Sequence, residues 1–339
     1  MYPDFIGIGA QKAGTTWLSH NLQRHPEIWM PADRTGPLFE VHYFDEKMYE
    51  PTNVVPRLFG RLSGKRIVDR RWRRQVRARM RKHLGEFHKD DFLWDLRYYA
   101  GSPGDRWYAS LFEPGRGKVV GEITPSYSML DTEVVARVHE KMPRAKIIFM
   151  MRSPIERAWS QSVMHFGKNK KREMESLTDR ELRRTLKKEG SRSRTDYLRT
   201  LENWGAFYPE EQIFVGFLED IHFYPGELLR GAYEFLGVDK TFTPPGVGKK
   251  VHARSTGRMM LKAAIYLAQL YREELSRLSE HFGGYASFWL FCAERLAEDR
   301  PEEGYLPYPL WDSAIWQEWI EDAGQPDYQS GPLSAVRLA

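Results

Sequence analysis

Residues 4 to 16 read DFIGIGAQKAGTT: an apolar run, a glycine loop and the opening turn of a helix. The run 4 to 9 is short and almost uniformly apolar, as a buried strand is, and a helix from about Thr15 to Arg24 follows, ending before HPEI. A strand, a glycine turn and a helix in that order aim several backbone N–H groups at one point, where the helix dipole adds positive potential. The stretch therefore predicts an anion site. Gly9 and Gly14 have the spacing of a nucleotide triphosphatase loop, but Thr15 and Thr16 stand where Gly-Lys-Ser/Thr would continue it. The lysine instead lies inside the loop, as Lys12, and reaches the anion from there.

Working outward, KVVGEI (118 to 123), AKIIFMM (145 to 151) and QIFVGFLEDI (212 to 221) read as further strands, the second apolar throughout as strands covered on both faces are. Helices are predicted over Asp131 to Lys141, from Pro154 to about Phe166, from about Pro225 to Leu236, and over 258 to 280. The alternation implies an α/β fold with a mostly parallel central sheet and right-handed crossovers. The strand KIIFMM ends in Arg152, where a magnesium-nucleotide enzyme would end its second strand in a metal-binding Asp. An arginine there faces the same crevice as the loop, so two anionic groups are expected side by side. Arg152 and the hydroxyl of Ser160, on the helix that follows, can hold one of them together.

The chain has 339 residues with 41% apolar and 14% aromatic content, enough for one large α/β core. No stretch has the roughly 18 uncharged apolar residues of a membrane span, and the first residues enter a strand without a basic leader, so a soluble, cytoplasmic protein is expected. The single cysteine, Cys292, excludes an internal disulfide and a cysteine-built metal cluster; it reads as a small buried hydrophobe. The net charge of +5 is unevenly spread: between Lys65 and Lys82 there are ten Lys/Arg and one acid, Asp69. Within that run Trp72, Val76, Met80 and Leu84 recur at i+4, predicting an apolar stripe that packs an arginine-coated helix onto the protein.

Six stretches, FIGIGAQKAGTTWL, FEVHYFD, WYASLF, VVGEITPSYSML, KIIFMMRSPIERAWSQS and YREELSRLSEHFGGYASFW, resemble in that order the motifs of sulfotransferases that use 3′-phosphoadenosine 5′-phosphosulfate (PAPS), particularly the heparan-sulfate and bacterial branch. The resemblance covers about residues 4 to 46 and 107 to 289. It implies a three-layer, P-loop-like fold and a loop that cradles the 5′-phosphosulfate. Donor contacts are implied for Gln11, Lys12, Ala13, Gly14, Thr15, Thr16 and Trp17, with Lys12 bridging towards the leaving oxygen. Arg152 and Ser160 then hold the 3′-phosphate, and Lys250 and Arg254 belong to a basic loop closing over the donor. The product would be 3′,5′-diphosphoadenosine, and no metal is required. Glu40 matches the family's general base. His42 would share a face with Glu40 in an extended segment, and either orients the acceptor or is itself the base.

The sequence also departs from the family. Ser153 replaces the usual Asp after the arginine, Phe39 replaces a Lys before the base, Ile123 stands where heparan-type enzymes carry a lysine, and His252 stands where a lysine is common, with Lys249 or Lys250 as replacements for that charge. The losses at Phe39 and Ile123 remove positive charge from the acceptor side, against a simple heparan-like substrate. A small-molecule, natural-product or glycan hydroxyl or amine is expected. The domain is expected to span 1 to 289, with a basic helical insert at about 47 to 104 and an aromatic-rich extension at 290 to 339 packing on it. The insert is read as a lid or docking helix for an acidic acceptor or an acidic carrier protein. Two other readings are a P-loop kinase-like enzyme, against which the missing Gly-Lys-Ser/Thr counts, and a nucleic-acid-binding protein, against which the absence of a stacking-platform pattern counts.

Overall fold

The computed structural model describes residues 1–31, 39–45, 76–81, 83–101, 103–169, 176–187, 192–248, 257–298 and 303–336, and of residues 166–169 only the backbone. The strands are β1 (Phe5–Gly9), β2 (Ile28–Trp29), β3 (Val119–Ile123), β4 (Lys146–Met151), β5 (Ile213–Phe217), β6 (Arg258–Met260), β7 (Tyr305–Pro307) and β8 (Gly331–Pro332). Six of them form one sheet in the order β2-β3-β1-β4-β5-β8, parallel except for β8, which pairs antiparallel with β5. All of β1 and β5, and β4 from Ile147 onward, are buried, which explains their unbroken apolar runs. Asp4 lies just outside β1, where its side chain accepts from the Val120 amide.

The helices that place the site are α1 (Thr15–Leu22), α2 (Lys89–Ala100), α3 (Thr132–Lys141), α4 (Pro154–Asn169), α5 (Tyr197–Gly205), α6 (Leu218–Phe223), α7 (Pro225–Leu236), α8 (Leu261–Phe282) and α9 (Gly284–Ala297). They flank the sheet: α1 packs on α7, α3 on α5, and α4 on α8. The result is the expected α/β architecture with helices around a mostly parallel sheet. β1 sits between β3 and β4, so the loop after β1, the start of α4 and the turn after β3 all open at the carboxyl edge.

Three local expectations change. The strand expected over 212 to 221 stops at Phe217, and Leu218–Phe223 is helical. Glu219 and Asp220 lie in its first turn, where carboxyl groups suit a helix N-terminus. The helix expected from 258 starts at Leu261, because Arg258–Met260 pairs antiparallel with Tyr305–Pro307. The stripe of Val76, Met80 and Leu84 does not pack inward: residues 76–81 and 83–85 are helical, yet Met80 and Leu84 are exposed. The buried face carries Arg79 and His83, both on the buried carboxylate of Asp95 in α2. Charge pairing, which a hydrophobic periodicity does not see, chose the inward face. Trp72 lies outside the described residues.

The described residues after 289 stay on the same body. α9 continues through that position to Ala297, Leu310 donates its amide to Glu156 of α4, and β8 extends the main sheet.

Candidate active site

The loop after β1 departs from ordinary backbone at three points. Gly9, Lys12 and Gly14 have φ of 154°, 77° and 87°. Gly14 is the N-cap of α1 in the left-handed region, and a Cβ there would lie 2.3 Å from Ile221 Cδ1, so both conformation and space require glycine. Lys12 has a side chain and holds this conformation nonetheless, a local strain typical of functional turns. α1 has no side-chain cap, so its first N–H groups point into the loop. Ala13, Thr15 and Trp17 are buried, while Gln11, Lys12, Gly14 and Thr16 are partly exposed at the mouth. The indole of Trp17 donates to the Val247 carbonyl at 3.2 Å, tying α1 to the segment that leads to residues 249–256. Lys249, Lys250, His252 and Arg254 lie outside the described residues.

Arg152, the first residue after β4, is buried and meets the same loop. Its guanidinium donates to the Lys12 carbonyl at 3.4 Å and to Glu156 Oε1 at 3.3 Å, and lies 5.1 Å from the ring centre of Tyr308. Burial acts to lower its pKa, but the fields of Tyr308, Glu156 and Glu219 outweigh that and raise it. Nε has no hydrogen-bond partner among the described residues. A buried, charged donor left over beside a glycine loop fits an anionic ligand. Tyr308 links Ser160 to this neighbourhood: burial raises the pKa of its phenol, and both Arg152 and the Ser160 hydroxyl act to lower it. Tyr308 was not read from the sequence.

On the other side of β1, Glu40 and His42 meet, although not through an extended segment. His42 has φ of 57°, and the chain turns over residues 43–45. The imidazole stands between two carboxylates, with Nε2 2.9 Å from Glu40 Oε2 and Nδ1 2.9 Å from Asp45 Oδ2. Burial works against its protonation, but the hydrogen bonds and charges of Asp45 and Glu40 prevail and raise its pKa to about 10. At neutral pH the ring is an imidazolium. Glu40 remains partly exposed, whereas Asp45 is largely enclosed and is held below its usual pKa by His42 and Ser126.

The turn after β3 fixes this segment. Thr124 Oγ1 accepts from the Val41 amide at 3.1 Å and donates to Glu122 at 2.8 Å, and Tyr127 Oη accepts from the Tyr43 amide at 2.8 Å. Glu122 is buried under Tyr108, Thr124 and Tyr127, and burial pushes its carboxyl up to about 7. Asp45, Glu122, Thr124 and Tyr127 were missed as working residues, although VVGEITPSYSML and FEVHYFD contain them. They are spread over two segments, with Asp45 on one and the rest on the other, which no single strand or helix period links. Arg194 was missed as well. It sits in the field of Asp45 and Glu40, and burial and the Arg157 charge lower its pKa.

The departures at Phe39 and Ile123 have packing causes. The Phe39 ring is edge-on to Trp94 at 4.8 Å and to Tyr98 at 5.0 Å, so it anchors the insert. Ile123 is buried against the bare backbone of Gly7, where a Cβ would fall 2.5 Å from its Cγ1. Ser153 is buried, and its Oγ has no partner among the described residues.

An internal loop lysine, a helix N-terminus and a buried arginine thus stand together at the carboxyl edge of a mostly parallel sheet in an α/β fold, an arrangement suited to anions. The chain belongs to the sulfotransferase family, whose model matches residues 3–244. It is similar to the membrane-associated sulfotransferase kil1 of Dictyostelium discoideum, 27% identical over 169 residues; the match covers 49% of this chain and 23% of that protein. The fold is similar to that of a sulfotransferase from Alicyclobacillus acidocaldarius, with a TM-score of 0.53 and 21% identity over 82% of this chain and 95% of the other. The sulfotransferase domain of the Synechococcus PCC 7002 olefin synthase aligns with a TM-score of 0.45 and 16% identity over 79% of this chain and 94% of its own.

Proposed function

We propose that the protein transfers a sulfuryl group from PAPS to a hydroxyl or amine of a small-molecule, natural-product or glycan acceptor. The observation that carries this reading is the convergence of Lys12 and the α1 N-terminus with Arg152, whose Nε has no partner among the described residues. Two anion-seeking elements side by side suit a nucleotide phosphorylated at both ends of its ribose. Arg152 and Ser160 would take the 3′-phosphate, and the loop from Gln11 to Trp17 the 5′-phosphosulfate. Lys250 and Arg254 are assigned by resemblance to close over the donor.

The reaction is an in-line displacement at sulfur. Glu40 accepts the proton of the attacking hydroxyl, the new O–S bond forms, and the bond from sulfur to the bridging oxygen breaks. Lys12 and the loop N–H groups stabilise the charge that builds on the departing 3′,5′-diphosphoadenosine. The migrating group carries less charge than a phosphoryl group, so these fixed dipoles and cations suffice. Glu40 is assigned as the base because His42, held between two carboxylates, has no basic nitrogen to offer at neutral pH. His42 fixes the carboxylate of Glu40, whose partial exposure lets the proton leave to solvent.

Radiolabelled PAPS incubated with a panel of hydroxylated acceptors tests the proposal. Wild type should move label to acceptor, and Glu40→Gln should be slower by ~10²–10⁴ while still binding 3′,5′-diphosphoadenosine. A Glu40→Gln variant at the wild-type rate removes the base assignment, and failure of wild type to bind PAPS removes the donor.

A further inference from the structure

The helical residues 76–81 and 83–85 form an antiparallel hairpin with α2, with its turn at 86–88. Arg79 meets Asp95, and the His83 ring lies 5.4 Å from Phe92, a pairing that runs in opposite directions along the two helices. One step beyond each of these four contact residues stands an apolar one: Met80, Leu84, Leu93 and Leu96. One residue turns the side chain by about 100° around a helix axis. Because the axes oppose each other, all four turns lead to the same side of the hairpin. Those four residues are exposed, at 49%, 85%, 41% and 52%, and Phe87 in the turn is exposed at 62%. Isolated exposed apolar residues are ordinary, but five gathered on one side and in the turn of a single hairpin are not.

The opposite side is firmly seated. Trp94 donates to the Leu111 carbonyl at 2.9 Å, Tyr98 to the Val41 carbonyl at 3.3 Å, and Trp107 to the Arg97 carbonyl at 2.8 Å. The apolar side is therefore not a face waiting to fold back onto the protein. It is also set among cations: Arg77, Arg81, Lys89 and Arg97 are exposed on the same two helices, with Glu86 and Asp90 as the exposed acids. Residues 65–101 carry twelve Lys/Arg against five Asp/Glu, a surplus of seven that exceeds the +5 of the whole chain. All of the net positive charge resides in this segment.

We propose that this hairpin docks the protein on an anionic membrane surface, with Met80, Leu84, Phe87, Leu93 and Leu96 entering the headgroup boundary and the arginines taking lipid phosphates and carboxylates. The apolar side chains stand exposed along two helices and their turn, which suits a bilayer, a partner that yields and needs no complementary contour. Cations beside apolar side chains are what an interfacial helix requires, since neither attraction alone gives firm binding. The hairpin also packs directly on Phe39, next to Glu40. If the sulfuryl-transfer reading holds, a lipid-borne hydroxyl would meet the site from this side.

Co-sedimentation of the full chain with vesicles of phosphatidylcholine, with and without phosphatidylserine, tests the surface independently of any activity. The protein should pellet with the phosphatidylserine vesicles and far less with phosphatidylcholine alone. The exposed double variant L84D/F87D should weaken that binding at least about tenfold, which corresponds to about 1.4 kcal/mol. Its melting temperature and its affinity for 3′,5′-diphosphoadenosine should be unchanged. Absence of vesicle binding at low salt overturns the proposal, as does vesicle binding that L84D/F87D leaves intact, which would show charge alone at work. Self-association that disappears in L84D/F87D, without vesicle binding, would assign the face to a second copy of the chain instead.

Discussion

Asp45 Oδ2 lies 2.9 Å from His42 Nδ1, at the ring nitrogen opposite the one that faces Glu40. A histidine with one carboxylate can still shuttle a proton near neutral pH. With two, its pKa is raised to about 10, which favours the protonated ring and suits it poorly to act as a base at neutral pH. This arrangement favours Glu40 over His42 in the proposed reaction.

The pH dependence follows. The folded pKa of His42 is about 10 against an ordinary 6.5, so the stabilisation from its protonation is fully present below 6.5 and is lost as pH rises through 10. Comparing thermal melts of wild type and His42→Gln should show the largest deficit for the variant at mildly acidic pH, vanishing above about pH 10. The imidazole resonance should show no titration near 6.5. A step in activity or chemical shift at that pH would restore histidine as the base.

Glu219 is buried at the start of α6. Trp289 donates to its Oε1 at 2.7 Å, and Oε2 has no partner among the described residues. Burial, followed by the nearby Glu156 charge, pushes its carboxyl from 4.5 up to about 8. A raised carboxyl stabilises the fold fully below 4.5 and progressively less as pH rises through 8. Glu219→Gln, which cannot ionise, should therefore melt above wild type at alkaline pH by at least a few degrees, about 1 kcal/mol in a chain of this size. Parallel melting curves across that range would show that Glu219 does not titrate there.

Gly14→Ala should cost about 1–2 kcal/mol in denaturant unfolding, from the left-handed conformation alone, with a further cost from displacing Ile221. The affinity for 3′,5′-diphosphoadenosine should fall with it, because the same residue opens α1 towards the anion. Unchanged stability and affinity would mean that the loop does not hold this turn.

The core was legible because buried parallel strands declare themselves: FIGIG, IIFMM and IFVGF are apolar without interruption, and all three lie in strands of the central sheet. Strand and helix boundaries were lost where pairing at a distance decides them, as at Arg258–Met260, whose partner lies almost fifty residues on. The site was half legible. Lys12 and Arg152 stand out as charges at the ends of apolar strands, whereas Asp45, Thr124 and Tyr308 look like ordinary polar residues until folding brings them to His42, Val41 and Arg152. The arginine-rich helix misled for a physical reason. Its apolar period was real, but the buried Asp95 had a stronger claim on Arg79 and His83 than the core had on Met80 and Leu84.

The measurement closest to the central claim is calorimetric binding of 3′,5′-diphosphoadenosine and of AMP to wild type and to Arg152→Ala. Wild type should prefer the diphosphate strongly, and the variant should lose about 2–3 kcal/mol of that preference, the scale of a charge-assisted hydrogen-bonded contact, while its weak affinity for AMP stays unchanged. Equal binding of the two nucleotides by wild type, or a preference that survives Arg152→Ala, would contradict the placement of a 3′-phosphate at Arg152 and with it the assignment of PAPS as donor.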